Sequence, residues 1–194
     1  MADVGYDAFD DPYAYPGTTV LRNKLHIRDA VRLQEFEVEM SSQRANEALP
    51  NGRLSATHYC AVHRHLFQDV YTWAGRYRNI RTAKGGNWFC YPENIERQMT
   101  VLFTGLKDKS YLRSIARPEF VTEMAEFLSV LNVIHPFREG NGRSQLSFIH
   151  LIAEQAGHPI DLTRIQRESF LRAMIASFNA DCSLLEAEIE SLLA

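Results

Sequence analysis

The sequence predicts a mainly α-helical protein, a helical bundle interrupted by one short β-hairpin. Apolar residues recur at helical spacing through most of the 194 positions. Pro92, Pro118 and Gly157 fall where helices start or stop, not in their interiors. After the first 19 residues, only residues 77–91 break the helical period, with β-prone residues on either side of a glycine-rich tip. The chain is 45% hydrophobic, enough for a sizeable core, and its length is that of one domain.

Residues 1–19 carry Gly, Pro, Asp and Tyr without periodicity and read as an extended arm packed on the body through Tyr13, Tyr15 and Pro16. Ile27, Val31, Leu33, Phe36 and Met40 predict a helix from Ile27 to about Glu47, ended by the turn Leu49-Pro50-Asn51-Gly52. Ser55 caps the next, which runs through Tyr59, Val62, Leu66 and Val70 to a turn at Trp73-Ala74-Gly75. In the hairpin, Ile80-Arg81 and Trp88-Phe89-Cys90 flank the tip Lys84-Gly85-Gly86-Asn87. Pro92 opens a helix with Ile95, Met99, Leu102 and Phe103 on one face. Pro118 opens another, whose stripe Phe120, Met124, Phe127, Leu128 and Leu131 leads into His135. A helix follows Gly142 as far as Ala156, and two more cover Thr163 to Phe178 and Ser183 to Leu193. No linker or repeat interrupts the chain, which reads as one domain over 1–194.

A net charge of -3 and a pI near 6.2 give no electrostatic case for direct nucleic-acid binding or for an anionic membrane. No apolar run reaches membrane-spanning length. Met1 to Asp7 lack the basic and apolar regions of a signal peptide, and Cys60, Cys90 and Cys182 are scattered, so they read as reduced thiols of a cytoplasmic protein.

The chemistry concentrates in His135-Pro136-Phe137-Arg138-Glu139-Gly140-Asn141-Gly142-Arg143. A loop at a helix N-terminus is an anion site, and Gly140 and Gly142 let backbone N–H groups turn inward as a nest. Arg143 in the first helical turn opposes the helix dipole, a placement favoured only with an anion bound. Glu139 suits Mg²⁺, which takes oxygen ligands beside phosphates, although a solvated loop acid is the plain alternative. His135 can act as a base, yet a lone histidine at the end of an apolar helix is more often structural. Phe137 anchors the loop in the core and Pro136 fixes its exit.

This stretch resembles the motif of Fic-domain proteins (filamentation induced by cAMP), His-x-Phe-x-Asp/Glu-Gly-Asn-Gly-Arg-x-x-Arg. His63 to Gly75 is similar to the family's helix before its hairpin, and Asp11-Pro12-Tyr13-Ala14-Tyr15-Pro16-Gly17 to the opening of bacterial Fic toxins. The resemblance implies the Fido fold and transfer of AMP from ATP onto a Ser, Thr or Tyr hydroxyl of a target protein. It makes His135 the general base and Glu139 the Mg²⁺ ligand. Gly140, Asn141, Gly142 and Arg143 then hold the phosphates. The hairpin becomes a flap that docks the target by strand addition, with Lys84, Gly85, Gly86, Asn87, Trp88, Phe89 and Cys90 toward nucleotide and target. Core packing is the plain reading of Trp88 and Phe89, but their place beside the tip favours the surface. Asn179 falls where the family contacts nucleotide, and where a helix cap is the commoner role.

Leu146 stands where the family has its second arginine, which helps hold the γ-phosphate and pairs with an inhibitory glutamate. No segment fits the family's inhibitory pattern: Thr122 to Glu126 is followed by Phe127, and Ser183 to Glu186 places the acid one residue early. No built-in inhibitory helix is therefore expected, and the family's glutamate–arginine pair could form only through Arg143 or not at all. Resemblance to the toxin class implies a small antitoxin acting in trans and, by analogy, a DNA topoisomerase subunit such as gyrase as target. Two alternatives stand beside AMP transfer. One is a Fic-fold phosphotransferase, disfavoured by the second glycine of Gly140-Asn141-Gly142; the other is a weakly active or non-catalytic binding module, favoured by Leu146.

Overall fold

The computed structural model describes residues 11–194. Helices α1 (Ala30–Ala45) and α2 (Ala56–Phe67) come first. They are followed by strands β1 (Ala83–Lys84) and β2 (Asn87–Trp88), then by α3 (Pro92–Asp108), α4 (Arg117–Ile134), α5 (Asn141–Ala156), α6 (Arg167–Phe178) and α7 (Ser183–Leu192). No helix among the described residues is long and apolar enough to cross a membrane.

Helix α4 is the hub. Phe120, Met124, Ala125, Leu128 and Leu131 on it are buried, and it packs against α3, α5, α6 and α7. Apolar residues surround most of its circumference, which is why it sits inside the bundle and not on its surface. Helices α1 and α2 pack together, and α2 lies against α5. Tyr59, Phe103 and Phe148, from α2, α3 and α5, meet in one aromatic cluster with Phe137. Burial of each such ring is worth roughly 2–3 kcal/mol. The chain end is tied back by an antiparallel bridge between Ile160 and Leu193.

Start and stop signals act where their chemistry predicts. Asp29 accepts the N–H of Arg32 and Ser55 that of His58, while Pro92 and Pro118 occupy first turns. Gly157 closes α5 at φ +84°, in the left-handed region.

Several boundaries differ from expectation. Helix α1 begins at Ala30, not Ile27, because Asn23 bonds both the N–H and the C=O of Ile27 and Asp29 then caps. Val31 faces solvent, and its expected inward place is taken by Leu33, Glu37 and Ser41. The segment expected to be helical from Thr163 is a 3₁₀ turn at Leu162–Arg164, because the Asp161 carboxylate captures the Thr163 N–H and hydroxyl. Of the arm, positions 1–10 lie outside the described residues. Tyr15 is buried and Tyr13 packs edge-on to Trp73, whereas Pro16, expected to pack, is exposed.

Candidate active site

The site forms where α4 ends and α5 begins, with the hairpin held against the end of α4. The His135 backbone takes the left-handed conformation, φ 47° and ψ 63°, which turns the chain out of α4. That costs a non-glycine residue about 1 kcal/mol, tolerated because the surroundings fix it. Its carbonyl and that of Ile134 accept from the Arg78 guanidinium at 2.9 and 3.3 Å. Arg78 also donates to the carbonyls of Ile80 and Cys90, each at 2.6 Å. One buried side chain thus satisfies the open carbonyls of a helix end and pins both arms of the hairpin to it.

Arg78 also explains why the hairpin ladder is shorter than residues 77–91 would allow. The Ile80 and Cys90 carbonyls are spent on the guanidinium, and the Cys90 N–H donates to Val133 O at 3.1 Å. Only Ala83 pairs with Trp88 and Lys84 with Asn87. Both tip residues, Gly85 and Gly86, have positive φ (57° and 82°), as a two-residue turn of the I′ type demands.

The expected surface position beside the tip holds for Trp88, 52% exposed, and fails for Phe89, 7% exposed. Phe89 is turned inward because its ring stacks on the His135 imidazole, centroids 3.8 Å apart and planes at 10°, with Phe178 edge-on behind it. Asn179 caps the C-terminus of α6 through its backbone N–H, the plainer of its two expected roles.

The His135 ring is buried. Its Nδ1 lies 3.3 Å from the Asn132 carbonyl, which can only accept, so Nδ1 carries the proton and Nε2 is the basic nitrogen of the neutral ring. Burial, with smaller contributions from Arg78 and Lys84, pushes its pKa down to about 3. The imidazole is therefore neutral throughout the physiological range.

Phe137 is fully buried and its ring stacks at 3.7 Å on His63 of α2. His63 Nδ1 accepts the Gly75 N–H at 2.8 Å, which leaves Nε2 as the donor to Glu139 O at 2.9 Å. Burial pushes this pKa, too, down to about 3. Asn141 is buried, accepting the Phe137 N–H and donating to the Phe137 carbonyl at 3.0 and 2.8 Å. The side chain of Asn141 thus locks the loop, while its backbone opens α5. Gly140 has φ +79°, and a Cβ there would lie 2.3 Å from the Phe67 ring. Around Gly142 a Cβ would meet nothing within 4 Å, so the first turn of α5 is open to an incoming group. Its leading N–H groups have no acceptor inside the helix.

Glu139 is half-buried and receives the Gly140 N–H at 2.9 Å. Burial and then the Glu37 carboxylate raise its pKa, while the Gly140 N–H, Arg143 and Arg138 act against the rise. A carboxylate held among opposing desolvation and a like charge is a favourable place for a divalent cation. Among the described residues no three metal-binding side chains converge. Arg138 is closed off by Asp11, at 2.7 Å, in a pair only 6% and 10% exposed. Arg143 donates to Glu37 and Ser41 of α1 and lies over the Phe67 ring. Leu146 is partly buried against the core.

A buried neutral histidine against the hairpin, a carboxylate beside Glu37 and an open glycine-flanked helix start thus share one loop. The model of the Fic/DOC family matches residues 53–153, which include all of these. The chain belongs to the Fic/DOC family. A probable protein adenylyltransferase, y4lH of Sinorhizobium fredii, is 50% identical over 191 residues, 98% of this chain and 100% of that protein. BepC from Bartonella tribocorum, a VirB-translocated effector solved with bound AMPPNP, superposes with a TM-score of 0.85 at 27% identity, covering 94% of this chain and 96% of that one. The Fic domain of a cell filamentation protein from Bartonella quintana, solved with bound ADP, has a TM-score of 0.85 at 28% identity, with 94% of each chain covered. The helical architecture with its two-stranded hairpin is that of these Fic structures.

Four residues that position this Fic site escaped the sequence reading as site residues: Arg78, His63, Glu37 and Tyr71. His63 and Tyr71 lie in the segment similar to the family's helix before its hairpin, but nothing in their spacing assigns them partners.

Proposed function

We propose that the chain is a protein adenylyltransferase that moves AMP from ATP to a Ser, Thr or Tyr hydroxyl of a target protein. The observation that carries this is the neutral imidazole of His135, fixed by Asn132 and Phe89 beside the open N-terminus of α5. The hydroxyl oxygen attacks the α-phosphorus, the bond from that phosphorus to the bridging oxygen breaks, and pyrophosphate leaves. The hydroxyl proton passes to His135 Nε2. Backbone N–H groups of Gly142 and its neighbours and the Arg143 guanidinium hold phosphate oxygens. Glu139 would hold Mg²⁺, which would supply neutralisation of the charge that develops on the phosphates.

The nucleotides in the BepC and Bartonella quintana structures support ATP as substrate, and the relative's name supports a protein acceptor. The hairpin docks the target, with the exposed Trp88 beside Arg81 facing outward. The functional unit is 1–194, with arm 1–19, flap 77–91 and loop 135–146. A cytoplasmic toxin, held by a small antitoxin in trans and directed at a topoisomerase subunit such as gyrase, is the biological setting this reading carries. Leu146 in place of the second arginine favours a second reading, a weakly active or regulatory module.

The test is incubation with target lysate and ATP labelled on either the α- or the γ-phosphate, for wild type and His135→Ala. Label from the α position only, lost in the variant, is expected. Retention of γ label only would make the chain a phosphotransferase, and indifference to His135→Ala a scaffold.

A further inference from the structure

The Fic motif supplies this chain with one arginine for phosphate, Arg143, and α1 determines where that guanidinium sits. Glu37 and Ser41 stand four residues apart on the buried face of α1. Arg143 Nη2 donates to Glu37 Oε1, and Nη1 donates to Ser41 Oγ at 2.8 Å and to the Glu37 carbonyl at 3.5 Å. The guanidinium plane is supported by the Phe67 ring, 4.7 Å from its carbon to the centroid. The Glu37 carboxylate is itself fixed by the Tyr71 hydroxyl. Glu37, Ser41 and Tyr71 are all buried, whereas the Arg143 side chain is 35% exposed.

A guanidinium has five N–H donors. Those bonds engage both Nη1 hydrogens and one on Nη2, so among the described residues Nε–H and the second Nη2 hydrogen are not taken by them. Arg143 can therefore keep its α1 partners and still offer two donors along one edge. Its partners also cancel its charge locally and fix a side chain with several free torsions before the nucleotide arrives. With Leu146 at the other motif position, no second guanidinium at that point of α5 can share the task.

We propose that Glu37, with Ser41 and Tyr71, is the positioning residue for Arg143, pre-setting it for the nucleotide phosphates. The inference rests on the nucleotide-binding reading above, but not on the acceptor or on the identity of the group transferred.

The test is calorimetric titration with AMPPNP of the wild type, Glu37→Ala, Arg143→Ala and the double variant, with thermal melting as the folding control. Glu37→Ala is expected to weaken AMPPNP about 10-fold, Arg143→Ala by a similar factor, and the double variant no more than about 2-fold beyond Arg143→Ala. Glu37→Gln, which keeps an acceptor oxygen, recovers part of the affinity, and Ser41→Ala loses about 3-fold. Multiplicative losses in the double variant overturn the proposal, because the two residues would then act separately. Tighter binding by Glu37→Ala also overturns it, since Glu37 would then hold Arg143 away from phosphate. Wild-type protein that fails to bind AMPPNP would sink the nucleotide reading itself, an outcome distinct from an Arg143→Ala variant that binds normally, which sinks only this inference.

Discussion

Acid should destabilise this protein through two histidines that are buried as neutral rings. The pKa values of His135 and His63 are pushed down to about 3 from the ordinary 6.5, in both cases chiefly by burial. In each case the unfolded chain binds a proton at a pH where the folded one does not. Stability is therefore complete above the unfolded value, falls as the pH drops from 6.5, and stops falling near 3. Within that window each ring costs up to ~1.4 kcal/mol per pH unit, so going from about pH 7.5 to about pH 5 removes roughly 2 kcal/mol per histidine and roughly 4 kcal/mol together. The raised pKa of Glu139 works the other way, adding stability toward acid that is lost as the pH climbs through its folded value. The assay is urea unfolding of the wild type and His135→Asn at both pH values. The variant should lose about 2 kcal/mol less on acidification, since Asn does not titrate. Equal losses in the two proteins, or an NMR titration of His135 centred near 6.5, would refute the assignment of a neutral buried base. The same reasoning puts the acid limb of kcat/KM well below pH 6.5, because the free enzyme holds His135 unprotonated until far into acid.

Gly140→Ala places a methyl 2.3 Å from the Phe67 ring at φ +79°, so both strain and displacement oppose it. A loss of about 3 kcal/mol in urea unfolding is expected, and a loss under about 0.5 kcal/mol would mean the loop relaxes freely. Arg78→Met keeps the bulk but leaves the carbonyls of Ile80, Cys90, Ile134 and His135 without their donor. It should cost about 3 kcal/mol and expose the hairpin to limited proteolysis near Gly85-Gly86; an unchanged cleavage rate would show that Arg78 does not hold the flap.

The helical stretches were legible because their cues are local. Asp29, Ser55, Pro92, Pro118 and Gly157 act within a turn of where they stand. The nine-residue loop was legible for the same reason, since glycines, a helix start and a base lie consecutively. Phe89 was misplaced because period-two patterning at a short hairpin does not say which face meets a neighbour; the His135 ring decided it. The pairing of both ends of the Asn141 amide with Phe137 was not legible, because only the turned chain creates it.

By itself, the sequence determined the helical class, the single hairpin, the position of the glycine-flanked loop and the absence of a second motif arginine at Leu146. Periodicity, caps and glycines suffice for these because they depend on neighbours a few residues away. Tertiary structure alone decided that Arg78 clamps the flap to α4, that His63 carries the Glu139 carbonyl, and that Glu37 holds Arg143. Those partners are separated by between 12 and 106 positions along the chain. No local pattern encodes such pairs, since what brings them together is the packing of α1, α2 and the hairpin around the ends of α4 and α5.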